Sequence, residues 1–337
     1  MEIPRMAIGV LKVFRERGFG LKVTLELPQH QELQLLDVRL RFEGSTRMAV
    51  FVLFLLALSA SFAAHNAQTG LVHEASDILG HRLLPVMSRK EEPNVLYSPY
   101  SLSSLMGMVY AGARGDTKKE LFRNLGYKEA RVAEYKVLQL HKVHNERLRQ
   151  MTNSTVSSAN AAALRKGFRI LPAYRTSLRE SFGAELFAVD FAKEGKTAVR
   201  TINDWVGRHT KGLIPKLFDK PLPAGTQMVV LNAVYFKGLW ATEFKKSDTK
   251  RLPFYNYGRK ATQVDTMTGT FEVSYGRFND LHCDIVDLPY KIADYSMTIM
   301  LPRRRDGIAS LRSLPMHSFR RALKRLKKKE VKIRLPK

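Results

Sequence analysis

The apolar positions of this chain repeat with two different periods. The stretch Thr226–Trp240 is the clearest case of one kind: from Met228 to Phe236 it is almost continuously apolar, rich in β-branched and aromatic side chains, and Lys237-Gly238 ends it. Such a run reads as a strand covered on both faces, the centre of a sheet. Asn232 interrupts it. A buried amide without partners costs about 1–3 kcal/mol, so groups elsewhere in the chain are expected to hydrogen-bond to it.

The other period is helical. Leu71, Ala75, Ile78, Leu79 and Leu83 share one face, and Pro85 is expected to close that helix. Ser98 suits an N-cap and Pro99 the first helical position, with Leu102, Leu105, Met106 and Val109 following. Ser98, Ser101 and Ser104 lie three apart, which fits either local capping or a buried polar stripe. Thr117-Lys-Lys-Glu120 has the form of a capping box, before a short helix ended by Gly126. Residues 129–151 predict a helix carrying Lys136, Lys142, Arg147 and Arg149. A strand and a helix follow. A further helix, capped by Thr201, turns Ile202, Trp205, Val206 and His209 inward and ends at Gly212. Beyond Trp240 the pattern is mostly β, with Ile285–Tyr290 and Tyr295–Leu301 as hairpin partners. Met316, Phe319, Leu323 and Leu326 then predict a helix whose other faces are nearly all Arg and Lys; the alternating strand Val331–Leu335 has no partner after it.

The beginning of the chain departs from this. Residues 1–47 carry eight basic and six acidic residues in mixed short patterns. Residues 48–64 follow, with Arg47 ahead of an apolar core from Ala49 to Leu58 and small residues at Ser61-Phe-Ala63, the form of a secretory signal peptide. Either Met48 is the true start, or the segment is an anchor. The first is the stronger reading, because a span needs about 20 apolar residues and this run is shorter. The division expected is an atypical extension (1–47), a signal-like segment (48–64) and one domain (65–337).

Charge and cysteine narrow the classes. The 337 residues include 56 Lys+Arg against 31 Asp+Glu, a net of +25, and Arg303–Lys337 alone holds fourteen basic and two acidic residues. This field suits either a solvated surface or a polyanion site, the latter centred on Arg320, Arg321, Lys324, Arg325, Lys327, Lys328 and Lys329 at one helix end. Aromatic interleaving is absent, which disfavours nucleic acid. The single cysteine, Cys283, excludes an internal disulfide. Asn153-Ser-Thr155 is the one glycosylation sequon, relevant to a secreted chain.

No catalytic, metal or cofactor signature survives. Gly-x-Ser-x-Gly is absent. Gly195-Lys-Thr197 resembles the end of a phosphate loop, but position 190 is Asp where that loop needs Gly. His73-Glu74 would open a zinc helix, but Asp77 stands where the second His belongs. His141 and His144 have no third ligand and read as surface histidines; Cys283 beside His282 reads as a structural cysteine, since adjacent strand residues face opposite ways.

Asn94-Val-Leu-Tyr-Ser-Pro-Tyr-Ser-Leu-Ser, Gly112-Ala-Arg-Gly-Asp-Thr117, Ile202-Asn-Asp-Trp-Val206 with Thr210-Lys-Gly-Leu-Ile214, and Leu231-Asn-Ala-Val-Tyr-Phe-Lys-Gly-Leu-Trp240 stand in the order and spacing of the serpins, and residues 70–337 resemble that family. The resemblance implies an α+β fold: a large mixed β-sheet and smaller sheets surrounded by about eight helices. It implies a single-use trap for a serine, or less often cysteine, protease, whose cleaved reactive loop inserts into the large sheet and releases stored strain. Ser98, Ser101 and Asn232 match the polar cluster under the insertion gap, and Trp240 the aromatic at its top. The family's pattern continues past the strand matching Val331–Leu335, so no scissile bond is assigned within 1–337. The expectation is a domain incomplete at its C-terminus, unable to trap protease by itself and with an apolar edge left open. Three readings follow: a secreted, monomeric protease inhibitor, a heparin- or glycosaminoglycan-binding protein, or an inactive fragment.

Overall fold

A computed structural model describes residues 5–15, 21–26, 67–87, 97–150, 156–256, 260–292, 295–304 and 307–337. The signal-like segment 48–64 and Asn153 lie outside the described residues. Among the described residues ten strands run β1 (Arg5–Arg15), β2 (Leu21–Glu26), β3 (Val156–Arg165), β4 (Glu185–Val189), β5 (Thr226–Phe236), β6 (Lys250–Asn256), β7 (Lys260–Phe278), β8 (Cys283–Pro289), β9 (Ser296–Pro302) and β10 (Lys327–Pro336). The helices are α1 (Ala67–Met87), α2 (Pro99–Gly112), α3 (Gly115–Asn124), α4 (Val137–Gln150), α5 (Pro172–Phe182), α6 (Gly195–His209), α7 (Ile308–Arg312) and α8 (Met316–Lys324).

The first sheet has the order β2-β1-β5-β3-β4. The apolar run becomes β5, third of five and buried on both faces. Its odd positions Val229, Leu231 and Ala233 pack with Ile202, Trp205 and Val206 of α6. Its even positions Met228 and Val230 pack with Leu105 and Met108 of α2 and with Leu178 and Phe182 of α5. Trp205 is 1% exposed, a burial that stabilises by about 2–3 kcal/mol. β3 lies antiparallel to β5 on one side, with Asn160 directly opposite Asn232. On the other side β1 pairs antiparallel with β5, Gly9 opposite Asn232. That side of the central strand is therefore occupied by the chain's own N-terminal segment.

The second sheet has the order β10-β7-β8-β9, with β6 also on β7. The 19 residues of β7 pair successively with β6, β10 and β8. β8 and β9 are the expected hairpin. The strand that lacked a visible partner, β10, finds it earlier in the chain, Lys327 opposite Tyr275 through Pro336 opposite Thr266.

Several boundaries differ from the sequence reading. Pro85 lies inside α1 rather than ending it. Arg114, not Thr117, precedes α3, and no side chain caps it. α4 starts at Val137, preceded by a single 3-10 turn at Glu134–Lys136. α6 starts at Gly195, so Thr201 is internal and its hydroxyl donates to the Thr197 carbonyl at 3.0 Å. A hydroxyl can serve a cap or the carbonyl four residues back, and spacing alone does not choose between them.

Candidate functional site: the polar cluster beneath the central strand

α2 brings the hydroxyls to the sheet. Ser98 caps it, accepting from the Ser101 amide at 3.1 Å, and Pro99 occupies the first turn. Ten of its fourteen residues are buried, Ser101, Ser103 and Ser104 among them. The Ser101 hydroxyl donates to Oδ1 of Asn232. Asn232 Nδ2 donates to Oδ1 of Asn160 at 2.8 Å and to the Ser158 hydroxyl at 3.3 Å. The Ser104 hydroxyl donates to the same Asn160 oxygen at 3.2 Å, and Asn160 Nδ2 reaches the Phe182 carbonyl at 2.8 Å. Asn232 is 0% exposed, and each polar atom of its amide has a partner. The cluster thus clamps β5 and β3 to α2 and to the end of α5 without leaving a desolvated amide.

Of the expected residues, Ser101 and Asn232 meet here. Ser98 does not; it is the capping residue, and its hydroxyl is occupied by the helix end. Ser104, the third serine of the expected stripe, is buried and joins the cluster through Asn160, whereas Asn160 and Ser158 were not anticipated. The signal for Asn160 was present, a lone amide in the apolar run Ala159–Leu164, the same irregularity that marked Asn232. Trp240 bridges to Tyr290 and stacks on its ring, centroids 4.7 Å apart and planes 11° apart; the pair closes the end of β5 through Phe236. The next residue but one inward, Gly238, must be glycine, because a Cβ there would come within 2.5 Å of the Tyr290 ring.

A second buried polar group lies behind α2. His141 and His144, read as surface residues, are 1% and 3% exposed. The reason is tertiary: α4 is basic over its exposed faces, but α1, α2 and α5 close over the face that carries these two. His144 meets His73 of α1 edge-on at 4.6 Å and Tyr100 of α2 at 4.8 Å. His141 Nε2 lies 2.7 Å from the Tyr127 hydroxyl, and its ring lies 4.8 Å from Phe182. Gly107 permits that approach, since a Cβ would meet Phe182 at 2.9 Å and His141 Nε2 at 3.1 Å. Among the described residues neither ring nitrogen of His144 has a hydrogen-bond partner, nor has Nδ1 of His141. Burial pushes His141 and His73 down to about 4, with Arg147 adding to the effect on His73. Burial, then His73, His141 and Arg147, holds His144 well below the ordinary imidazole range. Among the described residues no set of three His, Cys, Asp or Glu is arranged to hold a metal ion.

The basic residues are more dispersed than expected. Arg320 on α8 is engaged with Glu74 at 3.0 Å and Asp77 at 3.8 Å of α1, and Arg325 with Asp280 at 3.6 Å. Lys327, Lys328 and Lys329 lie on β10, not at a helix end; Lys329 Nζ sits 5.9 Å from the Tyr275 ring centroid. Arg321, Lys324, Lys327 and Lys328 are exposed. Cys283 is buried on β8, and burial pushes its thiol up to about 11, far from the depressed range of a nucleophilic thiol. No helix among the described residues is long and apolar enough to cross a membrane.

Comparison with known proteins gives this geometry a context. The family model described as "Serpin (serine protease inhibitor)" matches residues 74–337. The chain is 44% identical over 265 residues to Iripin-3 of Ixodes ricinus, covering 78% of this chain and 67% of that protein. It is 38% identical over 255 residues to Intracellular coagulation inhibitor 1 of Tachypleus tridentatus, covering 72% and 59%. Among solved structures, reaction-loop-cleaved lamprey angiotensinogen superposes with a TM-score of 0.72 at 26% identity, covering 80% of each chain. With its family model spanning most of the sequence, its α+β architecture matched by solved relatives, and a serine–asparagine clasp under the middle strand of the first sheet, this chain belongs to the serpins, a family of protease inhibitors rather than catalysts.

Proposed function

We propose that the protein serves as a secreted, monomeric inhibitor of a serine-type endopeptidase, acting by suicide-substrate trapping when joined to a bait loop. The observation that carries this reading is the fully paired amide of Asn232 beneath β5. A polar clasp holding two strands to a helix can be opened and remade as a unit, which a purely apolar contact would do with less directionality. Such an element suits a sheet that must admit another strand. Inhibition of this kind leaves a covalent adduct between the protein and its target protease. Incubation with trypsin-like and chymotrypsin-like proteases, followed by denaturing electrophoresis, tests this. An adduct stable to denaturation would support the reading. Absence of any adduct from a chain extended with the loop of a relative would overturn inhibition.

Secretion is supported by the signal-like composition of residues 48–64. The name of the Tachypleus relative points to the other compartment for that protein. Expression with and without residues 48–64, followed by assay of cells and medium, discriminates.

A second reading has its own support. Arg321, Lys324, Lys327 and Lys328 are exposed around the end of α8 and the start of β10, a cationic cluster suited to a sulfated glycosaminoglycan such as heparin. Arg320 and Arg325 contribute less, being already paired with carboxylates. Elution from heparin should need more salt than from a generic sulfonate matrix, and Lys327→Ala with Lys328→Ala should remove the difference. Equal elution from both matrices would count against this site.

A further inference from the structure

Two buried polar groups flank α2, and they are connected. Asn145 of α4 donates from Nδ2 to the His141 carbonyl and to the Ser181 carbonyl at the end of α5, both at 2.9 Å. Its Oδ1 accepts from the Tyr100 hydroxyl at 3.1 Å. Tyr100 in turn faces the Ser158 and Ser104 hydroxyls, whose pull opposes the burial that raises its phenol to about 12. Ser104 and Ser158 are members of the clasp that holds Asn160 and Asn232. A continuous chain of polar contacts thus runs from the backbone of α4 at His141 to the amides under β5, and the Tyr100 ring on this path lies against the His144 ring.

We propose that the layer of His73, His141 and His144 is an acid-responsive latch: protonation drives α4 away from α1 and α2 and so loosens the serine–asparagine clasp that holds β3 and β5. The geometry gives the reason. His144 is buried with both ring nitrogens unpartnered among the described residues, so an imidazolium formed there would carry two donors with nothing to receive them. The charged and titratable groups facing it do not help: His73 on α1, and His141 and Arg147 on α4, all raise the cost of a further positive charge. Tyr100 and Tyr127 are buried, neutral phenols whose burial raises them further. From α5 the contacts are the Phe182 ring and the Ser181 carbonyl, the latter already used by Asn145.

The carboxylates nearby lie on the outer side of α1. Glu74 and Asp77 are engaged with Arg320 of α8. Burial pushes Asp77 up to about 6 against the opposing pull of Arg320, so in acid it takes up a proton more readily in the fold than out of it. That single group works against the latch, and three histidines work for it. His81, also on α1, is lowered by burial and by Arg320 and adds to the histidines.

The inference rests on reading the serine–asparagine cluster as the clasp of the sheet. Its test uses no protease, so it stands or fails apart from inhibition. Hydrogen exchange is measured on the full 337-residue chain at pH 7 and pH 4.5, with rates corrected for the chemical pH dependence of exchange. Each unit of pH over which one group takes up a proton only in the opened state changes the opening equilibrium about tenfold. The expected result is that α4 loses at least roughly tenfold of its protection, that β3 and β5 lose protection with it, and that β7 in the second sheet keeps its own. His144→Leu should reduce the acid loss in α4. If that variant fails to fold, His73→Gln, at a partly buried position, repeats the test with a smaller change of environment. Unchanged protection of α4, equal losses in α4 and β7, loss in α4 with β3 and β5 unaffected, or a folded variant that keeps the wild-type acid loss would each overturn the latch.

Discussion

The two buried polar clusters on either side of α2 are made in opposite ways. Beneath β5, amides and hydroxyls meet in pairs, and every polar atom of the Asn232 amide is used. Beneath α4, imidazoles meet by their ring faces and edges, and ring nitrogens are left unpartnered among the described residues. Nothing in the first cluster itself titrates, so acid reaches it only through α4, and it breaks only when its geometry is lost. The second is tolerated only while it is neutral. Burial can therefore hold polar groups either by pairing them or by keeping their charge off, and the two solutions respond to different perturbations.

The largest expected effect comes from acid. The pKa of His141 is about 4 in the fold and near the ordinary 6.5 when unfolded, so above 6.5 the site is neutral in both states and its contribution is fully present. As pH falls from 6.5 to about 4, the unfolded chain binds a proton that the fold refuses, and stability is lost. One group with this shift removes about 3 kcal/mol over that range, and His73 and His144 act in the same direction. Urea midpoints measured from pH 7.5 to 4.5 should fall steeply below 6.5. A flat profile would erase the difference between the clusters.

Next in size is Asn232→Leu, which leaves the Ser101 hydroxyl buried without its acceptor and takes from the Asn160 oxygen one of its two donors, Ser104 remaining. The expected cost is about 3 kcal/mol, read as a shift of the urea midpoint at pH 7 and independent of pH. A cost below about 1 kcal/mol would mean that the clasp is wetter than its burial implies. A double-mutant cycle on Ser101→Ala and Asn232→Ala sharpens the point: the coupling should be about 1 kcal/mol, and additivity would deny that the contact between them matters. The smallest effect belongs to His144→Leu at pH 7. It removes no hydrogen bond and a similar volume is kept, so stability should change by less than about 1 kcal/mol in either direction. A large loss at pH 7 would show that the ring is paired after all.

How much of this was legible depends on what kind of signal each residue gives. β5 could be read because a strand buried on both faces needs an unbroken apolar run. Asn232 stood out because it broke one. Asn160 breaks the shorter alanine run of β3 in the same way, but an amide among small residues is a weaker contrast. Ser98 and Ser101 share one stripe, yet Ser98 is consumed by its own helix end, a competition that spacing does not reveal. Arg320 counted as part of a basic field until Glu74 and Asp77, some 246 residues earlier for Glu74, proved to face it.

His141 and His144 give the sharpest lesson. On a helix rich in Lys and Arg, two histidines three apart look like part of the wet face. They are dry because α1, α2 and α5 converge on one side of α4, with Gly107 leaving room for a ring.

The sequence by itself determined the family, the central strand, the capped helix that carries the serines and the break that Asn232 makes in the apolar pattern, because periodicity, caps and motif order are local properties. Only the tertiary structure decided which hydroxyl meets that amide, that β1 lies along the far edge of β5, and which histidines are sealed from water. Those are contacts between distant parts of the chain, and desolvation depends on what covers a side chain rather than on what precedes and follows it.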